Sequence, residues 1–451
     1  MTKFRSKICA IIVAVAMLVF VVPASLAIAQ TKTLLEAIAK TNMATSMESS
    51  GKLNLTFKAE GLSEQEQQDF ASVSDLLNNL QVNFNAKVSG NSEGTISREY
   101  VKMSANIGGS PYTGELWSDM NLTGETPVVK GIVASPQIFE MLLSPEYMNK
   151  YMLLDYQQLK DMPELGAELG GLDFAEIISG NKELQQVILT LFEKYSSQLS
   201  SGYNFISKEG NVYKVKIDDA TFKDLIRKAI NLTAENKEIQ DLIMDLMLTE
   251  MKNNGSTTEE INSTKVDMEK MFGALESQEF LDEFNQMMDK LNNVNILGDK
   301  GIDITYTVDE NGYVISTKGV IELVIDMAKI DSAFSENAFA ESVHVAAAEV
   351  IPTALYTVGI NFEVNNSNIN ENVDIVLPTL TSENSFTMEE LFSELEPQPE
   401  LEPQVEPVIV TETVTGGQLP KTSTHLYELL LIGAVLTLTG TLTWRSRKRY
   451  E

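Results

Sequence analysis

Apolar residues recur at every second position in some stretches of this chain and at every third or fourth in others, and the two periods come in blocks. Thr33 to Met47 carries Leu34, Leu35, Ile38, Ala39 and Met43 at helical spacing. Leu53, Leu55, Phe57 and Ala59 then alternate with polar residues, the pattern of a half-buried strand. Ser63 with Glu66 makes a capping-box sequence that opens a helix carrying Phe70, Val73, Leu77 and Leu80. Alternation returns at Val82, Phe84, Ala86 and Val88, again at Val101, Met103, Ala105 and Ile107, and in strand-like pieces through Val133. Residues 136–200 read as mainly helical, broken near Pro145, Pro163 and Gly170-Gly171.

Further along, Tyr213, Val215 and Ile217 predict a strand. Phe222, Leu225, Ile226, Ala229 and Ile230 follow at helical spacing, and Ile239, Leu242 and Ile243 open the next helix. Asn253 to Ser263 reads as a polar loop, and a long helical stretch then carries Met268, Met271, Phe272, Leu275, Phe284, Met287, Met288 and Leu291. Ile302, Ile304, Tyr306 and Val308 alternate up to a turn at Asp309-Glu310-Asn311-Gly312. Val358, Ile360, Phe362 and Val364 predict another strand, and Val373, Ile375 and Leu377 one more. One-sided strands need a cover, and amphipathic helices can supply it. The order is helix, strands, helices, strands, with no βαβ repeat, so the expected class is α+β with a large, mostly antiparallel sheet.

The two ends follow other rules. Lys3, Arg5 and Lys7 precede an apolar stretch, Ile8 to Val22, and small residues stand at Ala27 and Ala29. This is the pattern of a signal peptide (residues 1–29) cut before Gln30. Cys9 is the only cysteine and lies inside that segment, so residues 30–422 hold no thiol or disulfide. Those residues carry 27 basic and 62 acidic side chains, a net charge of −35 against −30 for the whole chain. Such a surface repels nucleic acid and anionic headgroups.

At the other end, residues 30–394 form the expected folded ectodomain, and residues 395–418 a stalk. Leu395-Glu396-Pro397-Gln398-Pro399-Glu400 is echoed by Leu401-Glu402-Pro403-Gln404-Val405-Glu406. Proline at that density favours an extended, semi-rigid chain. Leu419-Pro420-Lys421-Thr422-Ser423 follows (residues 419–423). Next come the apolar run Leu426 to Trp444 (residues 426–444) and the basic tail Arg445, Arg447, Lys448 and Arg449 (residues 445–451). As a helix the apolar run reaches ~28 Å, about the thickness of a hydrocarbon core. This order resembles the LPxTG cell-wall sorting signal of Gram-positive surface proteins, with Ser423 where that family usually has Gly. The resemblance implies that sortase cuts after Thr422 and joins it to peptidoglycan. The apolar helix and basic tail then serve as a temporary membrane anchor, and the localisation is extracellular, on the wall.

The ectodomain resembles, by pattern alone, the LolA-like envelope proteins. The resemblance rests on the opening helix running into Gly51-Lys52-Leu53, the strand Tyr213-Lys214-Val215-Lys216-Ile217 running into a helix, and the late Ile375-Val376-Leu377-Pro378. It implies a curved sheet, an unclosed half-barrel, with helices in its hollow and an apolar or lipid-like ligand between them.

Chemistry-bearing motifs are sparse. His344 is the one histidine in residues 30–422, and no G-x-S-x-G, H-E-x-x-H or P-loop sequence occurs. Asp218-Asp219, between a strand and a helix, fits a helix cap. Asp309-Glu310-Asn311-Gly312 lacks the spacing of a calcium loop and fits a hairpin turn. The methionines at helical spacing fit core packing. No catalytic residue, metal site or cofactor is expected. Three readings stand: a non-enzymatic wall-anchored protein with an apolar or lipid-like ligand, an adhesin or structural wall protein, and a wall-modifying hydrolase.

Overall fold

The computed structural model describes residues 28–107, 110–124, 127–134, 147–162, 194–195, 205–253, 256–326, 328–329 and 354–395. Its elements in chain order begin with helix α1 (Ile28–Asn42), strand β1 (Ser46–Glu60), helix α2 (Glu64–Asn78) and strands β2 (Gln81–Gly90), β3 (Ile96–Ile107), β4 (Ser110–Asn121), β5 (Val128–Ala134) and β6 (Tyr151–Asp155). Helix α3 (Tyr156–Asp161), the hairpin β7 (Ile206–Glu209) and β8 (Val212–Ile217), and helices α4 (Asp219–Glu235), α5 (Lys237–Asn253), α6 (Thr258–Leu275) and α7 (Gln278–Leu291) come next. Strands β9 (Leu297–Val308), β10 (Val314–Asp326) and β11 (Leu355–Ser367), the short β12 (Ser385–Thr387) and helix α8 (Met388–Leu395) complete the series.

Twelve strands form one open sheet, in the order β12-β6-β5-β4-β3-β2-β1-β11-β10-β9-β8-β7. Every neighbouring pair is antiparallel except β6 with β12, so the α+β class with a mostly antiparallel sheet holds. Short loops join β2 to β3, β3 to β4, β4 to β5, β7 to β8 and β9 to β10, and the other neighbours are joined through longer segments, α4 to α7 among them between β8 and β9. The widest sequence separation is at the seam between β1 and β11, where Glu48 opposes Ser367 and Glu60 opposes Leu355. There the first strand of the chain meets one of the last.

Helices α4 to α7 pack on the β8–β10 side of the sheet. Phe284 is wholly buried, and Met268, Met271, Met287, Met288 and Phe272 are nearly so, above Tyr213, Val215 and Ile304. The methionines are core. Leu34 of α1 joins the same cluster. Three of the four helices α4 to α7 start at a capping residue. Asp218 accepts the Thr221 N–H at α4, Thr257 and Glu260 form a capping box at α6, and Ser277 caps α7. The Ser63–Glu66 capping box forms as the sequence predicts.

Several expectations need correction. The first helix ends at Asn42, and Ser46 and Met47 already belong to β1, because Thr45 is held by the Asn370 side chain through its N–H at 2.8 Å. Tyr151 to Asp155 is a strand, not part of a helical region; the rest of residues 136–200 lies outside the described residues except 147–150, 156–162 and 194–195. The expected loop up to Ser263 is mostly helix, since the Thr257 capping box starts α6 at Thr258. The long helix beyond it is two, broken at Glu276-Ser277. Strand β10 has no counterpart in the sequence reading. Val373 to Leu377 joins no ladder; it runs as an extended strap across the sheet and buries Val373 and Ile375 against Trp117 and Ile132. Among the described residues no helix is long and apolar enough to cross a membrane; residues 426–444 lie outside them.

Candidate functional site

Strict alternation and an unbroken register from β1 to β6 let each face of the sheet be read off row by row. One row runs Met47, Val88, Glu99, Ser118, Gly131, Leu154. The next runs Ser49, Ala86, Val101, Leu116, Val133, Met152. The two after those include Gly51, Phe84 and Met103, then Leu53, Val82 and Ala105. This face is apolar and continuous, and it extends across the seam to Phe362 and Ile360 of β11.

Its cover is uneven. Helices α4 to α7 cover it at β8–β10. At the far end of β1, α2 lies on it through Phe70, whose ring sits 4.9 Å from Phe57 and 6.2 Å from Tyr356. Asn78 at the end of α2 takes over from the missing strand partner there, accepting the Phe57 N–H at 2.6 Å and donating to the Phe57 carbonyl at 3.0 Å. Across β2, β3 and β4, no described helix makes an extensive contact. Leu53, Val82, Phe84, Met103 and Leu116 are half-buried there, whereas Val101 is buried.

Glu99 stands in this apolar face. It is the one charged residue at an apolar-face position in β1 to β6. Its neighbours across the ladder are Val88 and Ser118, and on its own strand Ser97 and Val101. Burial pushes its carboxyl up to about 7, and a hydrogen bond with Ser97 only partly opposes that.

The opposite face is polar and charge-matched. Lys52 pairs with Glu363 at 2.9 Å, Lys87 with Glu48 at 2.9 Å, Arg98 with Asp119 at 2.9 Å and Lys102 with Glu115 at 2.8 Å. All four pairs stand directly opposite one another in the ladder. A shallow dish of about 320 Å³ lies on this face, lined by Lys52, Asn54, Asp303, Thr305, Lys318 and Glu363 among others. Hydrogen bonding to Lys52 lowers the Glu363 carboxyl, so the dish holds a satisfied ion pair. At its β3–β6 end this face turns aromatic. The Trp117 ring lies 5.2 Å from that of Tyr100 and 5.9 Å from that of Tyr151, under the strap.

The residues singled out from sequence fall in several places. Leu419, Pro420, Lys421, Thr422, Ser423, Arg445, Arg447, Lys448, Arg449, Ala27 and His344 lie outside the described residues. Ala29 and Gln30 fall in the first turn of α1. Asp309 accepts the Tyr313 N–H at 2.8 Å and shapes the β9–β10 turn. Asp218 is the cap, but Asp219 does more than the sequence signalled. Its carboxylate accepts the N–H groups of Ile296 and Leu297 at 2.7 and 2.8 Å and pairs with the buried Lys223. Among the described residues no group of three His, Cys, Asp or Glu side chains is placed to hold a metal ion. Glu99 was missed, although its signal was present: it falls two positions before Val101, at the apolar parity of β3. Compared with protein-family models, curated proteins and solved structures, the chain matches none.

Proposed function

We propose that this chain is a non-enzymatic surface protein of a Gram-positive cell wall, exported by its N-terminal signal and joined by sortase to peptidoglycan through Thr422. Its ectodomain takes an apolar, lipid-like ligand on the open part of the sheet. The observation that carries the ligand reading is the half-buried apolar face across β2–β4, continuous with a face that helices cover elsewhere. An open sheet with helices on one face also supports the LolA-like half-barrel reading. The filled space beneath α4–α7, with Phe284 wholly buried, leaves the ligand no room at that end.

Mass spectrometry of lipids that co-purify with residues 30–395 tests the ligand. Stoichiometric lipid lost on Met103→Glu is the expected result; a lipid-free protein that binds no added amphiphile moves the reading to an adhesin or structural wall protein. Anchoring has its own test. Thr422→Ala should hold the full-length chain in the membrane fraction and abolish its release by muramidase, and equal release of both forms would remove the sorting reading.

A further inference from the structure

Glu99 gives the open face a polar end. Along β3 the apolar-face positions run Ser97, Glu99, Val101, Met103, Ala105, and the neighbouring Ser118 of β4 stands beside Glu99. Polar groups therefore gather at one end, and an apolar track leads away from them. From Glu99 to Ala105 the track is six residues long, ~20 Å at ~3.3 Å per residue. The β2 positions Val88, Ala86, Phe84 and Val82 flank it, and all are half-buried.

Among the described strands no counter-charge for this carboxylate stands on the same face. No Lys or Arg stands at an apolar-face position in β1 to β6, and the cross-strand lysines and the arginine that pair with carboxylates in these strands project from the other side. A carboxylate held among apolar side chains with one serine hydroxyl and no counter-charge is costly, and a cation brought by a ligand relieves that cost. An anionic headgroup at the same position meets a like charge on a protein that already carries −30.

Resting on the apolar-ligand reading above, we propose that the half-buried face binds a single-chain amphiphile with a protonated amine head, its ammonium on the Glu99 carboxylate and its alkyl chain over Met103 and Ala105 against Phe84 and Val82 of β2. The upward shift of the Glu99 carboxyl fits a desolvated group awaiting such a partner.

Calorimetry of residues 30–395, which hold all twelve strands and both apolar clusters, tests this with three probes of equal chain length. These are dodecylamine, dodecanol and dodecanoate, each below its micelle concentration at pH 7.5. Dodecylamine should bind most tightly and dodecanoate least. Glu99→Gln should weaken dodecylamine by about tenfold or more, the contribution of one hydrogen bond to a charged group, and leave dodecanol nearly unchanged. Met103→Glu should weaken dodecanol and dodecylamine together. If dodecylamine and dodecanol bind alike and Glu99→Gln changes neither, the role of Glu99 falls while the apolar-ligand reading stands. Binding of none of the three overturns both.

Discussion

One sheet in this protein carries two kinds of apolar face. Under α4–α7, Val215 is wholly buried, Tyr213 is 2% exposed and Ile304 6%. A few strands away, Leu53, Val82, Phe84 and Met103 occupy equivalent positions in the same alternation and remain half-buried. The strands differ little in pattern; what differs is the layer above them. Alternation fixes which side of a strand turns away from water, but the depth of that burial depends on a second element with a matching stripe. The sharpest test sets one phenylalanine from each region against the other. Phe284→Ala removes a wholly buried ring and should cost about 3–5 kcal/mol in urea unfolding. Phe84→Ala, half-buried with no described helix packed extensively on its strand, should cost only about 1–2 kcal/mol. Equal costs would mean that the two faces are equally packed.

The covered region also depends on a polar clamp. Asp219 ties the start of β9 to α4 by accepting two backbone N–H groups, and it compensates Lys223, whose side chain is 4% exposed. Breaking a buried pair leaves the surviving charge without its partner, so Asp219→Ala should cost about 3 kcal/mol. Asp219→Ala combined with Lys223→Met should recover part of that loss in thermal unfolding. No recovery would show that the backbone N–H groups, and not the lysine, set the cost.

How far these differences were legible in the sequence follows from the range of the forces involved. Alternation in β1, β2, β3, β8, β9 and β11 showed, as did the caps at Ser63 and Asp218, because both depend on neighbours within a few residues. Strand β10 did not show. Its run Lys318-Gly319-Val320-Ile321-Glu322-Leu323-Val324-Ile325 is apolar on both parities, and only its place between β9 and β11 makes it a strand. The strap at Val373–Leu377 shows the converse. It alternates like a strand, yet it lies across the polar face and buries its apolar side chains on Trp117 without a ladder. Glu99 was legible by parity, but its meaning depends on what lies over this part of the face, where no described helix packs extensively, and no local pattern encodes that.

The strap gives the open region a small core of its own, on the opposite side of the sheet. Ile375 is 7% exposed and belongs to the cluster with Trp117, the only tryptophan in residues 30–395. Ile375→Ala should destabilise by about 2 kcal/mol, at the low end for a buried apolar truncation since one neighbour of the site is solvent. Acrylamide should quench Trp117 fluorescence more strongly in the variant. Unchanged quenching would show that Trp117 is sheltered by Tyr100 and Tyr151 without the strap.

Glu99 distinguishes the two regions through pH. Its carboxyl titrates near 7 in the folded chain against an ordinary 4.5, with burial as the leading cause. Below the ordinary value the group is protonated in both folded and unfolded chains and contributes no difference. Between 4.5 and about 7 the folded chain holds a proton that the unfolded chain has released, so stability falls as pH rises through this window. Above about 7 both forms are ionised and the penalty is constant. Glu99→Gln removes the titration, so the variant should match wild type below pH ~4.5 and exceed it at pH 8 by on the order of 2 kcal/mol, allowing for partial contact with water. The lowered carboxylates at Glu66 and Glu260 act in the opposite direction, but they are common to both proteins and cancel in the difference. Melting temperatures of the pair from pH 4 to 8 check this, and a gap that stays constant across that range would place Glu99 in water. Adding dodecylamine sharpens the comparison: it should raise the melting temperature of wild type at pH 8 far more than that of the variant, narrowing the gap that titration opened.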